Sequence, residues 1–331
     1  MEARGCGTME ARLAEGGNFF PGYGLFTESA IGSAMLGEKG GIGMDLAKFR
    51  VKEGEKLSLR ERPTDAGDAD RAEIEGQLPE QLERIRRLQD AFYADGREGL
   101  VFLLQGMDAS GKDSLVKHVM AGLNPQGVQV HSFKAPTGEE LAHDYLWRIV
   151  RELPERGKIG IFNRSQYEDV LAVRLRGIWK TYRLPERVLE DGEKDFFQKR
   201  YRQIRDFEEY LYENGYRMVK VFLHLSKEEQ RERFLERLEE PDKRWKFAPS
   251  DLRDRALFEE YQALYEEVLE ETSTGHSPWY VLPADQKWYT RYLMAELVAE
   301  TLEACEPRYP EPGEEALAEM ARARAQLLEE K

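Results

Sequence analysis

Apolar residues along this chain follow two rhythms that alternate from residue 79 onward. In "PEQLERIRRLQDAFYADG", Leu82, Ile85, Leu88 and Phe92 lie three or four apart and Gly96 follows. That spacing predicts a helix starting at Pro79, with one buried stripe and a stop signal. "GLVFLLQG" is then a short unbroken apolar run, Lys112 to Leu123 reads as a helix, and "VQVHSFKAP" reads as a second strand. "EELAHDYLWRIVREL" predicts the next helix, "KIGIFNRS" a third strand and "SQYEDVLAVRL" the helix after it. "YRMVKVFLHLS" and "PWYVLPAD" predict strands four and five. Helical stretches separate them, among them "KDFFQKRYRQIRDFEEYLYENG", "KEEQRERFLERLEE" and "DLRDRALFEEYQALYEEVLEET", and a last helix spans about Lys287 to Ala304. Unbroken apolar strands divided by helices indicate an α/β fold: a five-stranded parallel sheet between two helical layers.

Composition bounds the picture at both ends of the chain. Residues 1–43 are rich in glycine and small residues and keep no period. They read as a poorly ordered stretch or as an extension upstream of the true start, with Met44 a candidate first residue. Residues 308–331 form an acidic tail with helical character. No stretch has the roughly 20 apolar residues needed to span a bilayer, and the start lacks the basic-then-apolar order of a secretory signal. A cytoplasmic protein is expected. Cys6 and Cys305 are the only cysteines, which supports neither a disulfide framework nor a thiolate metal site. With 63 acidic against 49 basic residues and a formal charge of -14, general affinity for nucleic acid or anionic lipid is not expected. An anionic substrate then needs a local basic patch.

Chemistry concentrates after the first strand. "GMDASGKDS", Gly106 to Ser114, has Gly-x-x-x-x-Gly-Lys spacing between a strand and a helix. Such a loop presents backbone N–H groups and a helix N-terminus to phosphate, and Lys112 adds a full charge. The bland alternative is a glycine-rich turn. The third strand ends in "IFNRS" at the carboxyl edge of the sheet, where doubly wound folds bind ligands. Arg164 there suits a forked contact with a phosphoryl oxygen or, structurally, a pair with a helix carboxylate. Asn163 stands where many phosphate-loop enzymes place a metal-holding Asp, which makes Asp108 the nearest candidate for a magnesium ligand. Asp113 replaces the usual hydroxyl, in a position that suits the helix dipole. Between Lys243 and Arg255 five basic residues face two acidic ones, which reads as a lid over a transferring phosphoryl group or as a solvated loop. Trp245 and Phe247 inside it favour a packed lid. The five histidines show no ligand spacing.

Taken in order, "GMDASGKDS", "LNPQGVQVHSFKAPTGEELAHDYLWR", "LPERGKIGIFNRSQYEDVLAVRL", "RWKFAPSDLRDRA" and "STGHSPWYVLPADQKWYTR" resemble the polyphosphate kinase 2 family, in particular its class III subgroup. The resemblance covers about residues 44–307, with a lid at about 239–256. It implies a P-loop kinase-like fold, Mg2+ (or Mn2+), and reversible transfer of the terminal phosphoryl of inorganic polyphosphate to AMP and ADP, regenerating ATP, with guanine nucleotides further acceptors. A homodimer or homotetramer is also implied, with no nucleic acid or membrane partner. Residue by residue, the resemblance carries the family's loop Asp onto Asp108 and its loop Lys onto Lys112. Its Asp-Arg-Ser motif falls on Asn163, Arg164 and Ser165, and the class III selectivity Glu on Glu168. Asp108, Lys112 and Arg164 are then the catalytic set, with Asp108 also on the metal, and Glu168, Asp113 and Ser114 contact the nucleotide. Gly106, Ala109, Ser110, Gly111 and Lys112 are expected to hold polyphosphate, with the basic Lys134, Arg174, Arg244 and Lys246 expected to guide its chain. Two rival readings stand: an ATP-dependent nucleoside monophosphate kinase, and a nucleotide-binding regulatory module without turnover.

Overall fold

The computed structural model describes residues 44–190 and 192–330; the reading of residues 1–43 falls outside them. In chain order the elements are β1 (Arg50–Val51), α1 (Arg71–Asp95), β2 (Gly99–Gln105), α2 (Lys112–Val119), β3 (Val128–Ser132) and α3 (Trp147–Arg151). Then come β4 (Ile159–Asn163), α4 (Ala172–Leu175), α5 (Glu186–Leu189), α6 (Gly192–Glu213), β5 (Tyr216–His224) and α7 (Lys227–Glu239). The last are α8 (Pro249–Ala256), α9 (Phe258–Thr272), β6 (Trp279–Pro283), α10 (Lys287–Ala304) and α11 (Glu314–Glu329).

The strands form one sheet in the order β1-β6-β5-β2-β4-β3. All pairings are parallel except that of β1, which runs antiparallel along β6 with Arg50 opposite Tyr280 and Val51 opposite Trp279. The sheet therefore has six strands, not the five expected; two residues are too few to carry a hydrophobic period. Residues alternate between two cores even within the unbroken apolar runs, because successive side chains of a strand point to opposite faces. Leu100, Phe102, Leu104, Val219 and Val221 pack with α1, α2 and α10 on one face. Val101, Leu103, Met218 and Phe222 pack with α6 and α9 on the other. Consecutive parallel strands lie on either side of β2, so the order reverses there, and the crevice above the carboxyl ends of β2 and β4 is the switch point where such sheets bind ligands.

Several helices differ from their expected bounds: α2 stops at Val119 rather than Leu123, and the stretch 251–272 belongs to two helices, α8 and α9, parted at Leu257. Helix α1 begins at Arg71, eight residues before Pro79, because Asp70 caps it by accepting from the amides of Ala72 and Glu73 at 2.8 and 3.1 Å. Pro79 therefore lies inside the helix, where it supplies no N–H. Its far end is as expected: Gly96, at φ 65°, closes it by donating to Phe92 O. "EELAHDYLWRIVREL" is split into a 3-10 turn and the short α3, since the Asp144 carboxylate takes the Leu146 amide at 2.9 Å and competes with the helix. "SQYEDVLAVRL" divides likewise into a 3-10 turn, Gln166–Asp169, and α4.

Candidate active site

The loop from Gly106 to Gly111 wraps over the end of β2. Gly106 is at φ 153°, and a Cβ there would meet Ser110 Oγ at 2.8 Å and Leu223 O at 3.0 Å, so the turn needs glycine. Gly111, at φ 100°, is the N-cap of α2. Ala109 lies at φ 65°, a conformation that costs a residue with a Cβ roughly 1–2 kcal/mol and persists only where the surroundings fix it. Helix α7 supplies the fixing: Gln230 donates to Asp108 O at 3.0 Å and the buried Arg233 to Ala109 O at 2.9 Å. Arg233 also donates to Ala284 O at 2.6 Å and Asp285 O at 2.9 Å, tying the loop to the end of β6. Neither residue stood out in the sequence. Gln230, Arg233, Phe234 and Arg237 share one face of α7 at positions i, i+3, i+4 and i+7, but that face is mostly polar, so an apolar period does not reveal it.

Lys112 is only 8% exposed. Its ammonium donates to Gly106 O at 2.7 Å, Met107 O at 3.1 Å and Ser110 Oγ at 3.3 Å, folded back onto the loop. Burial, then the nearby Arg164 charge, pushes its pKa down to about 8.

Across the crevice the chain leaves β4 through Arg164, at φ 66°. Arg164 donates to Asp108 Oδ1 at 2.8 Å and to Glu168 Oε2 at 3.2 Å. These two carboxylates, Glu168 foremost, hold its pKa up against burial. The structural alternative for Arg164 is thus present in geometry, and one partner is the candidate metal ligand itself. Asp113, at the start of α2, accepts from Asn163 Nδ2 at 2.5 Å, so the residues that depart from the usual phosphate-loop pattern bond to each other. Ser114 Oγ accepts from Arg291 at 3.3 Å. The Gln105 amide, turned so that its nitrogen faces Glu168, donates to Glu168 Oε1 at 3.1 Å and accepts from Ser165 Oγ at 3.2 Å.

These groups open into a cavity of about 1920 Å³. Gly106, Asp108, Ala109, Ser110, Gly111, Lys112, Asp113, Ser114, Lys134, Arg164, Glu168 and Lys246 all line it. Arg174 does not: it turns under the wall to donate to Tyr201 at 2.8 Å and Glu267 at 2.9 Å. Arg244 is likewise elsewhere, donating to Leu238 O and Glu239 O and so capping the end of α7. Arg148, Arg176, Arg183, Arg200, Arg237, Lys243 and Lys287 line the cavity instead. With Lys112, Lys134, Arg164, Arg233 and Lys246 they make twelve basic residues against nine acidic ones on its wall, the reverse of the balance in the chain as a whole. One flank is the cover formed by the end of α7 and α8. Asp254 there pairs with Arg176 and accepts from Tyr261 at 3.3 Å, and Asp251 meets Arg237 at 3.3 Å. Burial, reinforced by the charge of Asp108 across the cavity, raises the pKa of Asp251. Trp245, expected to pack, is 78% exposed.

A glycine-rich loop opening a helix at the switch point of a parallel sheet, with a basic cavity above it, defines a P-loop kinase-like enzyme. Residues 68–310 match the family Polyphosphate kinase 2 (PPK2), and the chain belongs to that family. It is 47% identical to an ADP-polyphosphate phosphotransferase of Rhodopseudomonas palustris over 85% of this chain and 98% of the relative. It is 43% identical to an AMP/ADP-polyphosphate phosphotransferase of Meiothermus ruber over 81% and 96%. The crystal structure of Polyphosphate Kinase 2 from Arthrobacter aurescens TC1 superposes with a TM-score of 0.76 at 37% identity, covering 86% of this chain and 98% of that one.

Proposed function

We propose that this chain transfers the terminal phosphoryl group of inorganic polyphosphate to nucleotides, taking AMP to ADP and ADP to ATP reversibly, as a class III member of its family. The observation that carries the reading is the cavity: a basic wall in an acidic protein, converging on the loop at Lys112. A polyphosphate chain offers one negative charge or more per unit and suits a long basic surface. A nucleotide donor needs only a short one.

An acceptor phosphate oxygen attacks the terminal phosphorus; its bond to the bridging oxygen breaks, and the shortened polyphosphate leaves with the electron pair. The attacking oxygen is already anionic at neutral pH, so no general base is needed. The demands are positioning and neutralisation of charge spread over the equatorial oxygens. Loop amides and Lys112 hold the reacting phosphates, Arg164 faces the charge that develops on transfer, Lys134 and Lys246 guide the chain, and Glu168 selects the acceptor.

The donor set suits a magnesium ion. Asp108 presents a hard carboxylate to the cavity, and no cluster of three metal-holding side chains exists among the described residues. Mg2+ in phosphoryl-transfer sites is typically held by one or two carboxylates together with substrate phosphates. Asp108 would hold it, and when bound it neutralises phosphate charge. Mn2+ fits the same donor.

Among the described residues no helix is long and apolar enough to cross a membrane. A cytoplasmic enzyme, assembled as a homodimer or homotetramer and accepting guanine nucleotides as well, completes the proposal. Polyphosphate and AMP, with no ATP added, should yield ADP and then ATP on ion-exchange chromatography; no product from this mixture would overturn the reading.

A further inference from the structure

Beneath the site, on the sheet face covered by α6 and α9, lies a fully buried ion pair. Lys220 on β5 and Glu208 on α6 have no side-chain exposure, and their nitrogen and oxygen lie 2.5 Å apart. The Lys220 ammonium also donates to Tyr167 Oη at 3.1 Å and Thr272 O at 2.6 Å, so each of its three protons has an acceptor. Glu208 Oε1 takes the Tyr167 hydroxyl at 2.8 Å and the Gln166 amide at 3.2 Å. Stability is a poor reason for such a pair: apolar residues of similar volume often serve a core as well or better, whereas removing one partner strands a buried charge.

Location supplies a better reason. Gln166 and Tyr167 belong to the turn that follows Arg164. Ser165 Oγ in the same turn takes the Tyr167 amide at 3.2 Å. Asp169 at its far end accepts from Tyr182 at 2.6 Å and pairs with Arg200 at 3.0 Å. Glu168 lies between, on Arg164 and within reach of Gln105. Every side chain from Ser165 to Asp169 is thus engaged. Arg164 enters this turn at φ 66°, a backbone state that needs such enforcement.

We infer that Lys220 and Glu208 are positioning residues for phosphoryl transfer, holding the Ser165–Asp169 turn through Tyr167 and Gln166 so that Arg164 and Glu168 face the reacting phosphates. The inference rests on the proposed roles of Arg164 and Glu168, and neither buried residue touches substrate.

Replacing both partners by apolar groups, Lys220→Met with Glu208→Leu, tests it in the full chain. The thermal midpoint should stay within a few degrees of the parent. The kcat should fall at least ten-fold while KM for polyphosphate changes less than two-fold, the pattern of a contact made only in the transition state. A folded double variant with parental kcat would overturn the inference. If the double variant does not fold, Tyr167→Phe decides, since it deletes one hydroxyl and keeps the ring: lowered kcat at unchanged midpoint supports positioning, and unchanged kcat refutes it. The parent is assayed beside them with polyphosphate and with ATP as donor. A parent active only with ATP refutes the donor assignment, and the comparison of variants then runs with ATP.

Discussion

Arg164 and Lys246 both face the same cavity, yet they are held in different ways. Arg164 leaves a central strand in a left-handed backbone state, pairs with two carboxylates and continues into a turn whose side chains are bonded into the core. Lys246 sits on a short 3-10 turn beside Trp245, and in this cover both Trp245 and Leu252 are exposed, at 78% and 52%. Ion pairs help to fix the cover: the largely buried Arg237 with Asp251 at 3.3 Å and, nearer the surface, Lys243 with Glu240 at 2.5 Å. Exposed pairs of this kind contribute about 0–1 kcal/mol each. Under the proposed function the two regions do different work: the frame around the loop places groups for chemistry, and the cover serves as the lid over a bound polyanion.

The sharpest way to test the contrast is on the frame side. Lys112→Ala should lower kcat by about 10²–10³-fold, as loss of a charged clamp on a transferring group does, with the fold retained by circular dichroism. The same residue sets a pH limb. Because its pKa in the empty protein is about 8, kcat/KM should fall as pH rises through about 8, while the limb in kcat should lie higher, since bound phosphates favour the ammonium. Its stability effect has the opposite sign. With the pKa lowered from the ordinary lysine value of 10.5 to about 8, the unfolded chain binds the extra proton between those values, so this group makes stability rise with pH across that window. Thermal melts of the parent and Lys112→Ala between pH 7 and 10 check it.

Asp108→Asn comes next. Transfer should drop on the order of a hundred-fold and recover in part at high Mg2+ concentration, in a titration of rate against the metal. Near-parental activity at low Mg2+ would remove Asp108 from the metal. Glu168→Asn probes selectivity rather than rate: AMP use should be lost and ADP use kept, as separate initial rates will show, whereas a parallel fall in both would make Glu168 a structural partner of Arg164. Smallest of all, Trp245→Ala on the cover should alter stability by less than about 0.5 kcal/mol, as measured by chemical denaturation. A large loss would mean the cover is packed after all and would dissolve the contrast.

The sequence displayed the loop, the strand–helix alternation and the end of β4, because each depends on contiguous residues with a spacing that a single element enforces. Helix α10, Lys287–Ala304, was legible for the same reason. Groups that act across the fold were hidden. Arg233 reads as one more charge on a charged helix until its hydrogen bonds to three separate carbonyls are seen. Lys220 sits between the apolar Val219 and Val221, and its partner Glu208 lies on an aromatic and charged helix that gave no sign of the pairing. Arg174 and Arg244 show the converse: their charge suited a polyanion track, but the fold turns one under the cavity wall and the other onto the end of α7. Charge is local in sequence, and where it points is decided by packing.

The identity of the phosphoryl donor decides what kind of kinase this is. Initial rates of AMP phosphorylation measured side by side, with polyphosphate or ATP as the sole donor at equal phosphoryl concentration, test it most directly. Rapid formation of ADP with polyphosphate and little with ATP is the expected result. Rapid transfer from ATP with none from polyphosphate would contradict it.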